Sequence, residues 1–295
     1  VKQFLKLVEI QSLVASALPL LLGYLWTLNE YHQFNGMNAV MFALVAFALQ
    51  MGVNVWNNLQ DYRSAKSEEW KQGVNNIVGA AGYTQKQVWV VLLSLVAFAG
   101  VIGLWLVTRT GWPLLVMGLI GFLVAYWYAG TPLPLSRTPF GELASGLTMG
   151  YLIFLAAVYV NVAPLLNWTL VWHAMLASAI AWFAIADIML ANNIGDYEED
   201  LAEGRHTLVA HLGKPRALKL FGYVYAAGYL VLLVAVVLNI LPWPALLALI
   251  SIPVVYKNVQ RFQADPQKKN FPLAIKNVVA ISVTLGIGLI IALFV

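Results

Sequence analysis

Long apolar runs broken by short polar interruptions constrain this chain more than any other feature. A helix needs about 20 mostly apolar residues to cross a bilayer. The interruptions cut the chain into nine such stretches, near 8-28, 38-60, 87-108, 112-130, 141-161, 169-193, 216-239, 241-256 and 271-294. Only Asn239 to Pro244 separates the seventh from the eighth, which is short. Composition agrees, because 10% of the residues are charged where a soluble domain carries about 25%. That excludes an ordinary soluble enzyme, a disordered chain and a nucleic-acid binder. The absence of cysteine excludes disulfides, thiolate metal sites and a thiol nucleophile. The first stretch follows Lys2 and Lys6 but is too long for a signal-peptide core, so it is expected to stay as a span. The expected fold is an all-α membrane protein, with nine transmembrane helices in a single bundle and residues 1-295 in one domain.

Basic residues orient the bundle. Lys2, Lys6, Arg63, Lys66, Lys71, Lys86, Arg137, Arg205, Lys214, Arg216, Lys219, Lys257, Arg261, Lys268, Lys269 and Lys276 all fall on one side of a nine-span model, and only Arg109 falls on the other. The positive-inside rule then puts the N-terminus in the cytoplasm and the C-terminus outside.

Acidic residues concentrate at the same cytoplasmic face. Asp61, Glu68 and Glu69 follow the second span, and Asp196, Glu198, Glu199, Asp200 and Glu203 follow the sixth. The text around them repeats. Asn57-Asn58-Leu59-Gln60-Asp61-Tyr62 matches Asn192-Asn193-Ile194-Gly195-Asp196-Tyr197, four spans apart, as an internal duplication would leave them. Asn57 and Asp61 are i and i+4, as are Asn192, Asp196 and Asp200, and Asn54 lies nearly two turns before Asp61. Each set therefore shares a helix face. Carboxylates stacked this way repel unless a cation sits among them, and Mg²⁺ suits one or two carboxylates plus substrate phosphates. Arg63, Lys66 and Arg205 are placed to neutralise remaining phosphate charge. Solvated helix ends would be the bland explanation of a single such spacing. The duplication, and asparagines that are costly inside a span without a partner, weigh against it.

Asp187 lies nine residues before Asp196, on the opposite face of the sixth span, and is expected to be protonated or bonded to a neighbouring helix as readily as to join the site. His32, His173, His206 and His211 are too scattered for a metal site, although His206 borders Arg205. Gly146 and Gly150 have the spacing that lets helices approach closely.

With these residues in view, the chain resembles the UbiA-type intramembrane prenyltransferases, and within them the branch that prenylates 1,4-dihydroxy-2-naphthoate in menaquinone synthesis. The Asn57–Asp61 and Asn192–Asp200 spacings carry the family resemblance. The runs from Tyr128 to Glu142 and from Asn192 to Leu208 carry the branch. The resemblance implies nine helices around a central cavity, with loops 2-3 and 6-7 as cytoplasmic caps. It implies an integral protein of a bacterial cytoplasmic membrane, and transfer of a polyprenyl group from its diphosphate to an aromatic acid with loss of CO₂. Mg²⁺ would be held by Asp61, Asp196, Asp200 and Glu68. Asn54, Asn57, Arg63, Lys66, Tyr128, Arg137, Asn192, Tyr197 and Arg205 would bind substrate, with Arg137 the candidate for the acceptor carboxylate and Tyr62, Tyr128 and Tyr197 shielding a cation-like carbon. The implied partners are the two substrates and the bilayer, with no nucleic acid and no obligate protein partner. The chain departs from the family pattern at Ala65 and Ser67, where a further acid is usual. It departs also at Glu9 and Gln11, where a base is usual, at Pro132 for lysine and at Arg137 for tyrosine. Rival readings are a prenyltransferase for 4-hydroxybenzoate, haem or chlorophyllide, and a divalent-cation transporter. The transporter is disfavoured because the acids lie at one face and no discontinuous helix pair is legible.

Overall fold

A computed structural model describes residues 2–64, 77–132 and 134–295, and within them the chain is helical with no strand. Lys66, Glu68, Glu69, Ala65 and Ser67 lie outside the described residues. Seven helices are long and apolar enough to cross a membrane: Ile10–Tyr31, Gly36–Ser64, Gln85–Thr110, Trp112–Ala129, Gly141–Val162, Lys214–Val237 and Lys268–Ala292. An eighth crossing forms if Trp168–Ala177 and Ala179–Gly195 are taken together as one span bent by 58°. Of the nine expected spans the described helices show seven, or eight with the bent pair, and two of the nine stretches take an irregular form.

The sixth stretch is a broken helix. It bends at Ser178, whose hydroxyl turns back to the Ala174 carbonyl at 2.7 Å, so the sequence missed a discontinuous pair. The bend lies about 27 Å along the chain from Asp196 at 1.5 Å per residue, far from the acids. The eighth stretch is a 3₁₀ helix, Trp243–Ser251, that leads into the α-helix Ile252–Ala264. Pro242, Pro244 and Pro253 remove amide donors and push preceding residues out of the α region, which shortens the regular helix here.

Hydrogen bonds sort the helix ends into two sets. At one end Asn35 donates its N–H to Asn161 Oδ1 (2.8 Å), Arg109 donates to Asn38 Oδ1 (3.0 Å) and Trp26 donates to the Ile240 carbonyl (2.8 Å). At the other, Arg63 donates to Gln85 Oε1 (3.1 Å), Arg137 to Ser64 Oγ (3.3 Å) and the His206 N–H to the Arg137 carbonyl (3.0 Å). The basic turns thus share one end, as the charge pattern requires. Trp112, Trp168 and Trp243 stand exposed near the Arg109 end, where their amphipathic rings suit a membrane interface.

Packing brings the two halves together. Gly146 and Gly150 allow the Gly141–Val162 helix to touch the Asp196 helix, Ala179–Gly195. A Cβ on Gly146 would stand 2.6 Å from the Trp182 carbonyl oxygen, and one on Gly150 would overlap the Trp182 backbone. The stretch between them, Gly146–Leu152, is π-helical. Although the Gln85–Thr110 helix packs closely along Gly36–Ser64, it and the Trp112–Ala129 helix are the least buried of the seven. They form the thin outer wall of the bundle, and a cavity lies behind them.

Candidate active site

That cavity has a volume of about 770 Å³ and two unlike ends. Its polar end is lined by Asp61, Asp196, Asn57, Asn192, Tyr128 and Lys268. Its long arm is apolar, with Phe42, Val45, Leu106, Leu114 and Met117 among its walls. The arm follows the bundle's length. The Arg63–Gln85 and Arg109–Asn38 hydrogen bonds set the Gly36–Ser64 and Gln85–Thr110 helices antiparallel. This register puts Gly103 level with Val45, about 24 Å from Asp61 at 1.5 Å per residue. Gly100, Gly103 and Gly118 border the arm with open space where a Cβ would stand. Leu104 and Leu119, one on each of the two outer-wall helices, both line it and are exposed.

The two Asn-Asn pairs have the same division of labour. In each, the first asparagine lines the cavity (Asn57, Asn192) and the second bonds a glutamate; Asn58 and Glu9 also border the cavity, whereas Asn193 and Glu142 lie behind its wall. Asn58 Nδ2 donates to Glu9 Oε1 (3.2 Å) and to the Leu7 carbonyl (3.1 Å); Asn193 Nδ2 donates to Glu142 Oε1 (2.8 Å). Glu9 opens the first span and Glu142 the fifth, so the duplication extends to the anchoring acids. Burial pushes the Glu9 carboxyl up, the Asn58 hydrogen bond opposes that, and the nearby Asp61 charge adds to it.

The acidic ends differ in detail. The Asp61 helix continues to Ser64. The Asp196 helix stops at Gly195, and Asp196 joins it to the short helix Tyr197–Ala202. The single helix face expected for Asn192, Asp196 and Asp200 is therefore interrupted, although the Asp200 N–H still reaches the Asp196 carbonyl at 2.8 Å. Asp200 is buried, 4% exposed, behind the cavity wall with Arg205 Nη1 3.5 Å from its Oδ1. Its pKa is pushed up to about 6, by burial first; Arg205 opposes the rise while Asp196, Glu203 and Glu199 add to it. A carboxyl so placed lacks a full counter-charge, which a bound cation would restore.

The charges of Arg205, Arg137 and Lys268, and of Glu203, all act on Asp61; of the three cations Lys268 lines the cavity and the two arginines do not. Arg205 also bonds Glu203 Oε2 at 2.8 Å. Other expected contacts do not form. Arg63 turns outward, bonded to Gln85 with its guanidinium 5.5 Å over the Trp89 ring, because the third span offers it both an acceptor and a π face. Asn54 borders the cavity but spends its amide on the Val8 carbonyl (3.0 Å) and Ser12 Oγ (2.8 Å), tying down the N-terminal turn. Tyr62 and Tyr197 pack against apolar clusters, so of the three tyrosines only Tyr128 lines the cavity. His206 stacks edge-on near His211. Asp187 is fully buried on the far face, neither oxygen hydrogen-bonded, opposite Tyr225.

Sequence reasoning missed Lys268. Its ammonium lies 2.9 Å from Asp196 Oδ1 and lines the cavity. In the sequence it is one of several loop lysines and carries no motif; only its place just before the last span hinted at a helix start facing the others.

The oxygen-rich end fits a hard divalent cation. Asn57 Oδ1 and Asp200 Oδ2 are buried without hydrogen-bond partners, as is the Tyr128 hydroxyl. Among the described residues no three acidic or histidine side chains gather tightly enough to cage an ion alone. An ion here would draw one or two carboxylates from each helix end and complete its shell with phosphate and water, the habit of Mg²⁺ rather than of a closed protein site.

The comparisons with known proteins agree with this geometry. Over its full length the fold matches a UbiA homolog from Archaeoglobus fulgidus bound to DMAPP and Mg²⁺, with TM-score 0.66, 15% identity and 99% of both chains covered. It also matches a structure described under the biosynthesis of digeranylgeranylglyceryl phosphate synthase in membranes, with TM-score 0.67, 17% identity, and 100% and 99% of the chains covered. By sequence the chain is 26% identical to the 1,4-dihydroxy-2-naphthoate octaprenyltransferase of Bacillus subtilis, over 96% of this chain and 90% of that one. It is 23% identical to the 2-carboxy-1,4-naphthoquinone phytyltransferase of a Synechocystis strain, over 86% and 81%. The model of the UbiA prenyltransferase family matches residues 16–292, and the chain belongs to that family of integral membrane prenyltransferases.

Proposed function

We propose that this enzyme transfers a polyprenyl group from its diphosphate to 1,4-dihydroxy-2-naphthoate, with release of diphosphate and CO₂. The observation that carries this reading is the cavity itself, which joins a carboxylate-rich polar end to a long apolar arm bordered by the two least buried helices. The arm suits a prenyl tail entering from the bilayer, and the polar end suits its diphosphate. Naphthoate is favoured as acceptor by the likeness to the Bacillus subtilis and Synechocystis enzymes.

Asp61 and Asp196, with Asp200 behind, would hold Mg²⁺ together with the diphosphate. Bound Mg²⁺ would supply Lewis-acid stabilisation of the charge that gathers on the departing diphosphate. Arg205 and Arg137 would add positive charge near Asp61 from behind the cavity wall, which favours the same charge without reorganisation. The allylic C–O bond breaks and the ring carbon that bears the carboxyl forms the new C–C bond; the carboxyl then leaves as CO₂, returning its electron pair to the ring. Tyr128, in the cavity wall, would supply an aromatic ring suited to the electron-poor allylic carbon. Arg137 would hold the acceptor carboxylate. Apolar walls exclude water, which would otherwise capture the cation.

The topology proposed with it counts the bent pair as one span and Trp243–Ala264 as another, giving nine crossings with the N-terminus cytoplasmic. The one-ended distribution of basic turns supports that reading.

An acceptor panel tests the function. Purified protein in liposomes, given Mg²⁺ and farnesyl or geranylgeranyl diphosphate, should prenylate 1,4-dihydroxy-2-naphthoate with release of CO₂, as followed by mass spectrometry. Prenylation of 4-hydroxybenzoate instead would retain the reaction class and discard the acceptor.

A further inference from the structure

Lys268 stands out because it belongs to neither acidic helix end and yet touches the site. Its ammonium is 2.9 Å from Asp196 Oδ1, and its charge also acts on Asp61. Its side chain is 52% exposed while that of Asp196 is 17% exposed, so the ammonium reaches in from the open side. Its root is fixed: a Cβ on Gly195 would stand 3.3 Å from the Lys268 backbone nitrogen and 3.4 Å from its Cα. Glycine at 195 therefore docks the start of the last span against the residue before Asp196. The neighbouring Lys269 is engaged elsewhere, paired at 2.8 Å with Asp265 of its own loop. Only one of the two adjacent lysines is directed at the cavity.

We propose that Lys268 is an exchangeable counter-cation of the site: it neutralises Asp196 until a divalent cation displaces it, and it then pairs with the diphosphate oxygens of the incoming prenyl diphosphate. The inference rests on the function proposed above. The chemistry favours lysine for such a task. An ammonium is a compact point charge on a flexible four-carbon stem with three donors, so it moves between carboxylate and phosphate without demanding a planar partner. The fixed root and exposed tip give it that reach. One ammonium cannot share Asp196 Oδ1 with a divalent ion without strong repulsion, so loading the site must move it. Phosphate oxygens, a stronger and denser set of acceptors, are the natural destination.

The proposal predicts opposite effects from one substitution. In the full-length protein in detergent, Lys268→Gln should bind Mn²⁺ alone about two- to fivefold more tightly, because a partly exposed competitor has gone. It should bind inorganic pyrophosphate in the presence of Mn²⁺ about tenfold more weakly, through loss of a charge-assisted contact. Lys268→Arg should restore pyrophosphate binding. Mn²⁺ is read by electron paramagnetic resonance and pyrophosphate by calorimetry, with unfolding temperature recorded for each variant. If Gln weakens both ligands together, Lys268 is a structural ion pair and the proposal falls. It falls equally if both affinities stay unchanged. Wild-type protein that binds no pyrophosphate with Mn²⁺ would overturn the proposed function first. Lys268→Met, which keeps the stem and drops the charge, repeats the test should the glutamine variant fail to fold.

Discussion

The two acidic helix ends share a six-residue template, yet they finish differently. At the first, Gln60 keeps the helix going through Asp61 to Ser64; at the second, Gly195 ends it one residue before Asp196. Gly195 is required there for contact, since the start of the last span packs against it. The consequence is functional. Among the described residues the first end offers one carboxylate on a continuous helix, while the second offers Asp196 at the cavity, Asp200 behind it and a basic partner on each. A duplicated sequence has kept its roles (cavity asparagine, anchoring asparagine, cavity aspartate) while the variable position sets what each end can hold.

The comparison breaks first at the aspartates. Asp196→Ala should lower kcat/KM for prenyl transfer by about 10³-fold or more, and Asp61→Ala by about 10²- to 10³-fold, as expected for loss of charge stabilisation at a reacting phosphate. If Asp61→Ala proves the more damaging, the richer second end is not the main holder of the cation. Asp200→Asn should cost about tenfold, seen as a higher Mg²⁺ requirement rather than a lower saturated rate, because a carboxylate behind the wall acts on affinity more than on chemistry.

The anchoring acids separate the two ends by stability. Asn193 Nδ2 has only Glu142 as acceptor, whereas Asn58 Nδ2 has both Glu9 and the Leu7 carbonyl. Glu142→Ala should therefore destabilise the protein by about 1–3 kcal/mol, the cost of a buried donor left unpaired, and Glu9→Ala by less than about 1 kcal/mol. Thermal unfolding in detergent checks the order. The smallest contrast lies at the variable position. Gly195→Ala should cost about 1 kcal/mol, since its Cβ would press on the Lys268 backbone, while Gln60→Ala should be near neutral.

Much of this was legible in the chain. Apolar run lengths gave the membrane fold, and the one-sided lysines and arginines gave the shared end on which Arg63, Arg137, Arg205 and Lys268 now stand. The repeated asparagine–aspartate text picked out Asn57, Asp61, Asn192 and Asp196, which line one cavity. What the text did not carry was side-chain direction at helix ends. Arg63 reads as a phosphate partner, but Trp89 and Gln85 on the next helix draw it away. Tyr197 sits beside Asp196 in sequence and packs into the core. Lys268 reaches the cavity, and Glu142 anchors Asn193 behind it, from elements distant in sequence, so no local spacing announces them. Glu9 is conspicuous in sequence only as the absence of a base, and its task of orienting Asn58 emerges from three elements meeting. The bend at Ser178 and the 3₁₀ turn after Pro242 also depend on packing. Neither has a strong local signal beyond scattered prolines.

The central claim is that both acidic ends serve one diphosphate through a divalent cation. Its most direct test is prenyl transfer in liposomes by wild-type protein, by Asp61→Ala and by Asp196→Ala, each with Mg²⁺ and with EDTA. The account predicts prenylated naphthoate only from wild-type protein with Mg²⁺, with both variants folded and nearly inactive. Undiminished product in EDTA, or full activity in either variant, would contradict it.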